Sequence, residues 1–320
     1  MFTEFIHWKL IYFFLSLVFA IISGKILLPM LRSLKAGQSI REDGPKSHLI
    51  KGGTPTIGGI IFLSALIIVN IIARNFTADV WVVIFATFGF GAVGFIDDYI
   101  KVVKKRNLGL RAYQKLLWQI GVTLVLIVYK FHFNSDSSII VPFINKSINL
   151  GILYFPFILF VVVGTVNSVN LTDGLDGLSS GVSIICLGFF AIMANKYNNS
   201  SLELFSIIFM GALLGFLYYN KYPAKVFMGD TGSLALGGAI SAIAVVLNLP
   251  LILVIAGGVF VMETLSVIIQ VVSFKTRGKR VFLMSPLHHH FEEKGWKERK
   301  VVITFYIAEI ICCLIAYLIV

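Results

Sequence analysis

LGILYFPFILFVVVGTVNSVNLTDGLDGL, residues 150–178, carries no charged side chain from Leu150 until Asp173, then breaks into asparagine, aspartate and glycine. The apolar part is long enough to cross a hydrocarbon core, which takes about 20 residues at about 1.5 Å each. The break places Asn167, Asn170, Asp173 and Asp176, with Gly174 and Gly177, where the backbone would otherwise continue apolar. Irregular polar backbone at membrane depth persists only where it is buried in protein or lines a wet cavity, so the break reads as a ligand site at the end of a span. A plain Gly-Asp turn accounts for the glycines and leaves Asn167, Asn170 and both aspartates unexplained.

The same pattern extends over the whole chain. Of 320 residues, 58% are hydrophobic and 13% charged, the composition of a polytopic membrane protein. Runs that can span lie at 10–31, 57–72, 80–96, 116–129, 150–169, 182–194, 202–219, 234–247, 251–274 and 301–320. The reading is therefore an all-α polytopic membrane protein of about ten transmembrane helices, forming one integral membrane domain over residues 1–320. The first run is long enough to span and lacks a small-x-small cleavage site, so it is read as a mature helix and not a signal peptide.

Lysine and arginine orient the bundle, because loops that stay in the cytoplasm carry an excess of them. Arg32, Lys35, Arg41, Lys46 and Lys51 follow the first run. Lys101, Lys104, Lys105, Arg106, Arg111 and Lys115 follow the third, and Lys275, Arg277, Lys279, Arg280, Lys294, Lys297, Arg299 and Lys300 follow the ninth. The opposite loops hold few, so both termini are expected outside the cytoplasm. The net charge of +11 is then mostly a topology signal; with no recognition fold beside it, no nucleic-acid partner is expected, and the lipid bilayer is the partner.

That topology puts every acidic cluster on one face. Asp97 and Asp98 end the third run, Asp173 and Asp176 the fifth, Asp230 lies between the seventh and eighth, and His288, His289 and His290 follow the ninth. One shared active site at the cytoplasmic face is the economical reading. An aspartate at a bilayer centre costs roughly 2.5 to 3.5 kcal/mol, so acids at span ends need a wet, paired place or a task. Adjacent helical residues point about 100° apart, so one of Asp97 and Asp98 can face a metal or phosphate while its neighbour meets Lys101, Lys104 or Lys115. Glycines flank Asp230, and Thr231 and Ser233 suit the start of a following helix, a place where backbone amides meet an anion and Asp230 can hold Mg2+. No Walker A sequence accompanies it. Three adjacent histidines cannot easily share one tetrahedral zinc, so His288–His290 are read as anion contacts.

These motifs together resemble the polyprenyl-phosphate N-acetylhexosamine-1-phosphate transferases. The matching stretches are 41–45 (REDGP), 51–59 (KGGTPTIGG), Asp97-Asp98, 170–177, 227–234 and 286–292 (PLHHHFE), in order along nearly the whole chain. GGTPTIGG and PLHHHFE are similar to the branch that uses UDP-MurNAc-pentapeptide, and set it apart from sister enzymes that use UDP-N-acetylglucosamine. The resemblance implies attack by the phosphate of undecaprenyl phosphate on the sugar-linked phosphorus of UDP-MurNAc-pentapeptide, Mg2+ as cofactor, a multi-pass place in the bacterial plasma membrane, and a homodimer as one assembly open to it. It assigns Asp230 to the metal, Asp97, Asp98 and His289 to catalysis, and Asn170, Asp173, Asp176, Asn220 and Phe227 to the nucleotide pocket. Lys51, Lys115, His288 and His290 would neutralise or orient phosphates and sugar. Asp98, one step nearer the basic loop, is expected to be the working member of its pair.

A transporter would also place acids in membrane helices, but near mid-depth and within inverted repeats, and no internal repeat is evident here. A purely structural membrane protein explains none of the interrupted spans. Glu263 and Glu309 lie within the ninth and tenth runs, where an ionisable residue suggests a groove or helix-pair contact. Cys186, Cys312 and Cys313 lie in apolar runs and read as packing residues.

Overall fold

A computed structural model describes residues 2–33, 53–103, 109–134, 137–144 and 146–320. Lys51, Lys104 and the stretch 41–45 lie outside these residues. Among the described residues the chain is helical apart from one hairpin. Its elements are α1 (Phe2–Ser33), α2 (Gly59–Ala73), α3 (Ala78–Val103), α4 (Ala112–Asn134), β1 (Ser138–Val141), β2 (Lys146–Asn149), α5 (Tyr154–Thr172) and α6 (Leu178–Lys196). Then follow α7 (Ser200–Asn220), α8 (Gly229–Val246), α9 (Pro250–Ala256), α10 (Gly258–Arg277), α11 (Leu287–Glu293) and α12 (Glu298–Leu318). Among the described residues nine helices are long and apolar enough to cross a membrane, and α2, with 15 residues, is a shorter apolar helix.

The ninth expected run differs from its prediction, for it is two helices. Pro250 opens α9 at its first turn, Gly257 sits between α9 and α10, and the chain restarts at Gly258. The new helix start needs acceptors, and Glu309 of α12 supplies one: its Oε2 accepts the Val259 N–H at 3.0 Å.

Helix α8 is the axis of the bundle. Every residue from Thr231 to Val246 is buried, and α3, α5, α2 and α6 pack around it. Within lipid there is no hydrophobic drive to join helices, so close approach and dispersion must do it, which small residues permit. A Cβ at Gly237 would come within 2.5 Å of the Val166 Cα on α5, and a Cβ at Gly94 of α3 would overlap the backbone carbonyl of Asp230. These two contacts bring α3 and α5 against the first and middle turns of α8. At the far end, buried Lys130 of α4 donates from Nζ to the Val246 carbonyl at 3.0 Å, placing a cation at the negative end of the α8 dipole. The hairpin pairs antiparallel in the register Ser138↔Asn149 and lies beside it, with the Ile140 N–H bonded to the Asn248 carbonyl.

Candidate active site at the start of helix α8

The first turn of α8 has three amides without helical acceptors, and two aspartates from other helices receive them. The Asp230 N–H donates to Asp98 Oδ1 at 3.2 Å, and the Thr231 N–H and hydroxyl donate to Asp98 Oδ2 at 2.8 and 2.7 Å. The Gly229 N–H bonds Asp173, the residue that ends α5. Gly229 takes a left-handed φ of 73°, and a Cβ there would come within 2.6 Å of Asp98 Oδ2, so the turn requires glycine. Asp98 is thus a helix cap supplied from α3, with both oxygens occupied and its side chain buried.

Asp97, about 100° around the same helix, faces the opposite charge. Its Oδ2 lies 2.6 Å from Lys101 Nζ, one turn on, and 3.0 Å from Lys115 Nζ at the start of α4. Both lysines also reach Asp230 Oδ2, at 3.0 and 2.7 Å. The other Asp97 oxygen accepts the Leu110 N–H at 2.7 Å, which ties the α3–α4 connection down. The expectation that one of the pair meets lysine is met by Asp97, whereas Asp98, expected as the working member, has both oxygens engaged in capping α8. Lys101, named beforehand only as a nearby lysine, is as central as Lys115.

On the α5 side, Asn170 donates from Nδ2 to Asp230 Oδ1 at 2.9 Å and to Ser233 Oγ at 2.8 Å. Asp230 is therefore held by lysines on one oxygen and an amide on the other. Asp97, Asp98 and Asp230 each turn a carboxylate oxygen to within 4.8 Å of the others. Hard oxygen donors in such a cluster suit Mg2+ rather than a softer metal. Asp97, Asp98 and Asp230 bring three carboxyls against two lysines, an excess of acid at this turn. Asp173 registers it: burial first, then the charges of Asp230, Asp98 and Asp176, push its carboxyl well above the ordinary carboxylate range.

The remaining predicted residues divide between walls and mouth. Buried Asp176 accepts the Ala224 N–H at 2.9 Å, and its own N–H donates to Glu298 Oε1 at 2.8 Å, so it joins the α5–α6 turn to the α7–α8 connection and to α12. Asn220, also buried, accepts from Ser180 Oγ at 2.8 Å and donates to the Val226 carbonyl at 3.0 Å. Both shape the loop that carries half-buried Phe227. The stretch GGTPTIGG runs beside that loop: the Phe227 N–H bonds Pro55 O, and the N–H groups of Gly58 and Gly59 bond Phe227 O and Met228 O, all within 2.9 Å. Its glycines let this backbone lie against the start of α8. Among the histidines, His288 is fully buried with Nδ1 3.1 Å from Glu263 Oε2. His289 Nδ1 lies 2.8 Å from Glu292 Oε2, and His290 Nδ1 accepts the Leu283 N–H at 3.1 Å. Gln119 escaped the sequence reading. It is buried in α4 and accepts from Asn167 Nδ2 at 2.9 Å, one turn before Asn170.

Fold and site define a polytopic helical membrane protein whose acid and lysine centre is assembled at the ends of its spans. Residues 80–248, from α3 through α8, match the family described as glycosyl transferase family 4. The chain is 51% identical over 305 residues to a phospho-N-acetylmuramoyl-pentapeptide-transferase of Clostridium botulinum (strain Alaska E43 / Type E3), covering 95% of this chain and 94% of the relative. It is 52% identical over 303 residues to the protein of that name from Caldanaerobacter subterraneus subsp. tengcongensis, covering 95% and 96%, and 51% identical over 298 residues to the one from Bacillus subtilis (strain 168), covering 92% of each. The chain belongs to glycosyl transferase family 4, in its phospho-N-acetylmuramoyl-pentapeptide-transferase group.

Proposed function

We propose that the protein transfers phospho-MurNAc-pentapeptide from UDP-MurNAc-pentapeptide to undecaprenyl phosphate, yielding lipid I and UMP, in the plasma membrane of a bacterium during peptidoglycan synthesis. A phosphate oxygen of the lipid attacks the sugar-linked phosphorus, the new P–O bond forms, and the bond to UMP breaks. The observation that carries this reading is the convergence of Asp97, Asp230, Lys101 and Lys115 where α3 ends and α4 and α8 begin, beside Asn170 of α5. Two anionic substrates, one arriving sideways from lipid, need such a centre to offset their charge.

When bound, Mg2+ would supply that offset by drawing off the charge that develops on the phosphates. Asp230 and Asp97 are the residues that would hold it, with Asp98 fixing the α8 turn that carries Asp230. Lys101 and Lys115 neutralise phosphate oxygens. A lipid phosphate is already ionised at neutral pH, so direct attack needs charge compensation more than a covalent enzyme intermediate. Asn170 and Asp173 border the pyrophosphate, Phe227 stacks on the uracil, and Asp176 and Asn220 hold its loop. Lys51, His289 and His290 serve the phosphates, the sugar and its peptide. Counting α2 and joining α9 with α10 gives ten spans, both termini outside and this centre on the cytoplasmic side.

The test is UMP release by purified protein with Mg2+. UMP should appear with UDP-MurNAc-pentapeptide only when undecaprenyl phosphate is present. Turnover of UDP-N-acetylglucosamine in its place would assign the chain to the sister activity, and UMP release without the lipid would refute the transfer.

A further inference from the structure

Glu263 and His288 form a buried pair that the reaction as described does not use. Glu263 is on α10 within the membrane, His288 on α11, and both are fully buried. Glu263 Oε2 lies 3.1 Å from His288 Nδ1. Among the described residues both carboxylate oxygens and both ring nitrogens lack a hydrogen-bond partner, so this ion-pair contact is the polar approach that either side chain makes. Two ionisable groups withdrawn from water carry a desolvation penalty, and an apolar pair of the same volume commonly fits at least as well, so stability alone is a weak reason for them. The far side of the ring supplies a better one. His288 Nε2 packs on Gly174, where any Cβ would overlap it, and Gly174 directly follows Asp173, which receives the Gly229 N–H at the start of α8. Glu263, the imidazole, the Asp173–Gly174 turn and the first residue of α8 are thus in series.

We propose that Glu263 is a positioning residue that acts through His288: its carboxylate faces Nδ1 and favours the tautomer and ring plane that aim Nε2 at the Asp173–Gly174 turn, fixing the turn against the start of α8. Oriented imidazoles commonly have this carboxylate behind them, which sets both ring plane and tautomer. Glycine at 174 lets the ring lie flat against the backbone. Because α10 is broken from α9 at Gly257 and is largely lipid-facing, the pair also links that helix to the α8 turn. The assignment rests on the proposed transfer for its readout, and its test separates the two.

The measurements are steady-state UMP release, thermal unfolding, and 15N spectra of histidine-labelled protein in lipid nanodiscs, for Glu263→Gln, Glu263→Leu, His288→Asn and the double variant Glu263→Leu/His288→Asn. The resonance absent from His288→Asn identifies the ring. Glu263→Leu should lower kcat about ten- to a hundredfold, the usual range for groups that orient a functional histidine, with the donor KM within about threefold. Glu263→Gln, isosteric and still able to face Nδ1 with an oxygen, should recover a large part of that loss and keeps the test open if the leucine variant folds poorly. The double variant should be no slower than the worse single variant. In Glu263→Leu the His288 ring nitrogens should change protonation pattern. Losses that multiply in the double variant, or an unaltered His288 spectrum, would overturn the assignment. Parent protein without UMP release would instead reject the transfer, while the 15N comparison still judges the pair.

Discussion

Replacing Asp98 by asparagine should cost the protein stability, and replacing Asp97 should cost it turnover. Asp98 accepts three hydrogen bonds at the start of α8, from the Asp230 N–H, the Thr231 N–H and the Thr231 hydroxyl. Asparagine offers one carbonyl oxygen in place of two, so an NH2 group must face at least one of these donors. A buried donor left without a partner costs about 1–3 kcal/mol, and loss of a negative charge at a helix N-terminus adds about 0.3–1 kcal/mol. Relief of the repulsion between Asp98 and Asp230, and of the cost of burying a carboxylate, works the other way and offsets part of this loss. The net is roughly 2 kcal/mol. Asp97→Asn keeps its carbonyl on the Leu110 N–H, and both lysines keep Asp230 and are themselves partly exposed to water, so although Asp97 is buried its loss should stay at about 1 kcal/mol. Unfolding of both variants in nanodiscs without Mg2+, together with turnover and calorimetric donor affinity, measures the difference. Asp98→Asn as stable as the parent, or Asp97→Asn the less stable of the two, would refute the capping argument.

Asp230→Asn, which keeps shape and removes charge, should slow transfer by at least about a hundredfold in a folded protein, the scale of one preorganised electrostatic contact, and should weaken Mg2+ binding measured by calorimetry. Asp173 carries a raised pKa, so the stability it contributes is fully present below its unfolded value and is lost as pH rises through the folded one. Metal-free protein should therefore lose stability from the ordinary carboxylate range upward, and Asp173→Asn should flatten that decline; an identical pH slope in both proteins would contradict it. For topology, Lys279→Cys in a cysteine-free background should resist an impermeant maleimide in intact cells while Lys146→Cys is labelled, and the reverse pattern would invert the bundle.

The membrane class, the run of spanning helices and the gathering of acids on one face were legible in the chain itself, because each depends on quantities local in sequence. A charge-free stretch the length of a bilayer, a basic loop, and polar residues ending an apolar run can all be read without knowing a neighbour. So could the ambiguity of Asp97 and Asp98. Adjacent helical positions must diverge by about 100°, but which direction holds lysine and which holds the start of α8 depends on where α4 and α8 pack against α3, and small residues such as Gly94 decide that crossing. Tertiary structure likewise separated residues that look alike on paper. Asp176 and Asn220 are buried connectors, Asn170 reaches Asp230, and His288 turns inward to Glu263 while His289 and His290 do not. The break between α9 and α10 escaped the hydropathy pattern because Gly257 and Gly258 interrupt the helix without interrupting its apolar character. Composition reports the solvent a segment meets; only packing determines which partner each polar group finds once water is gone.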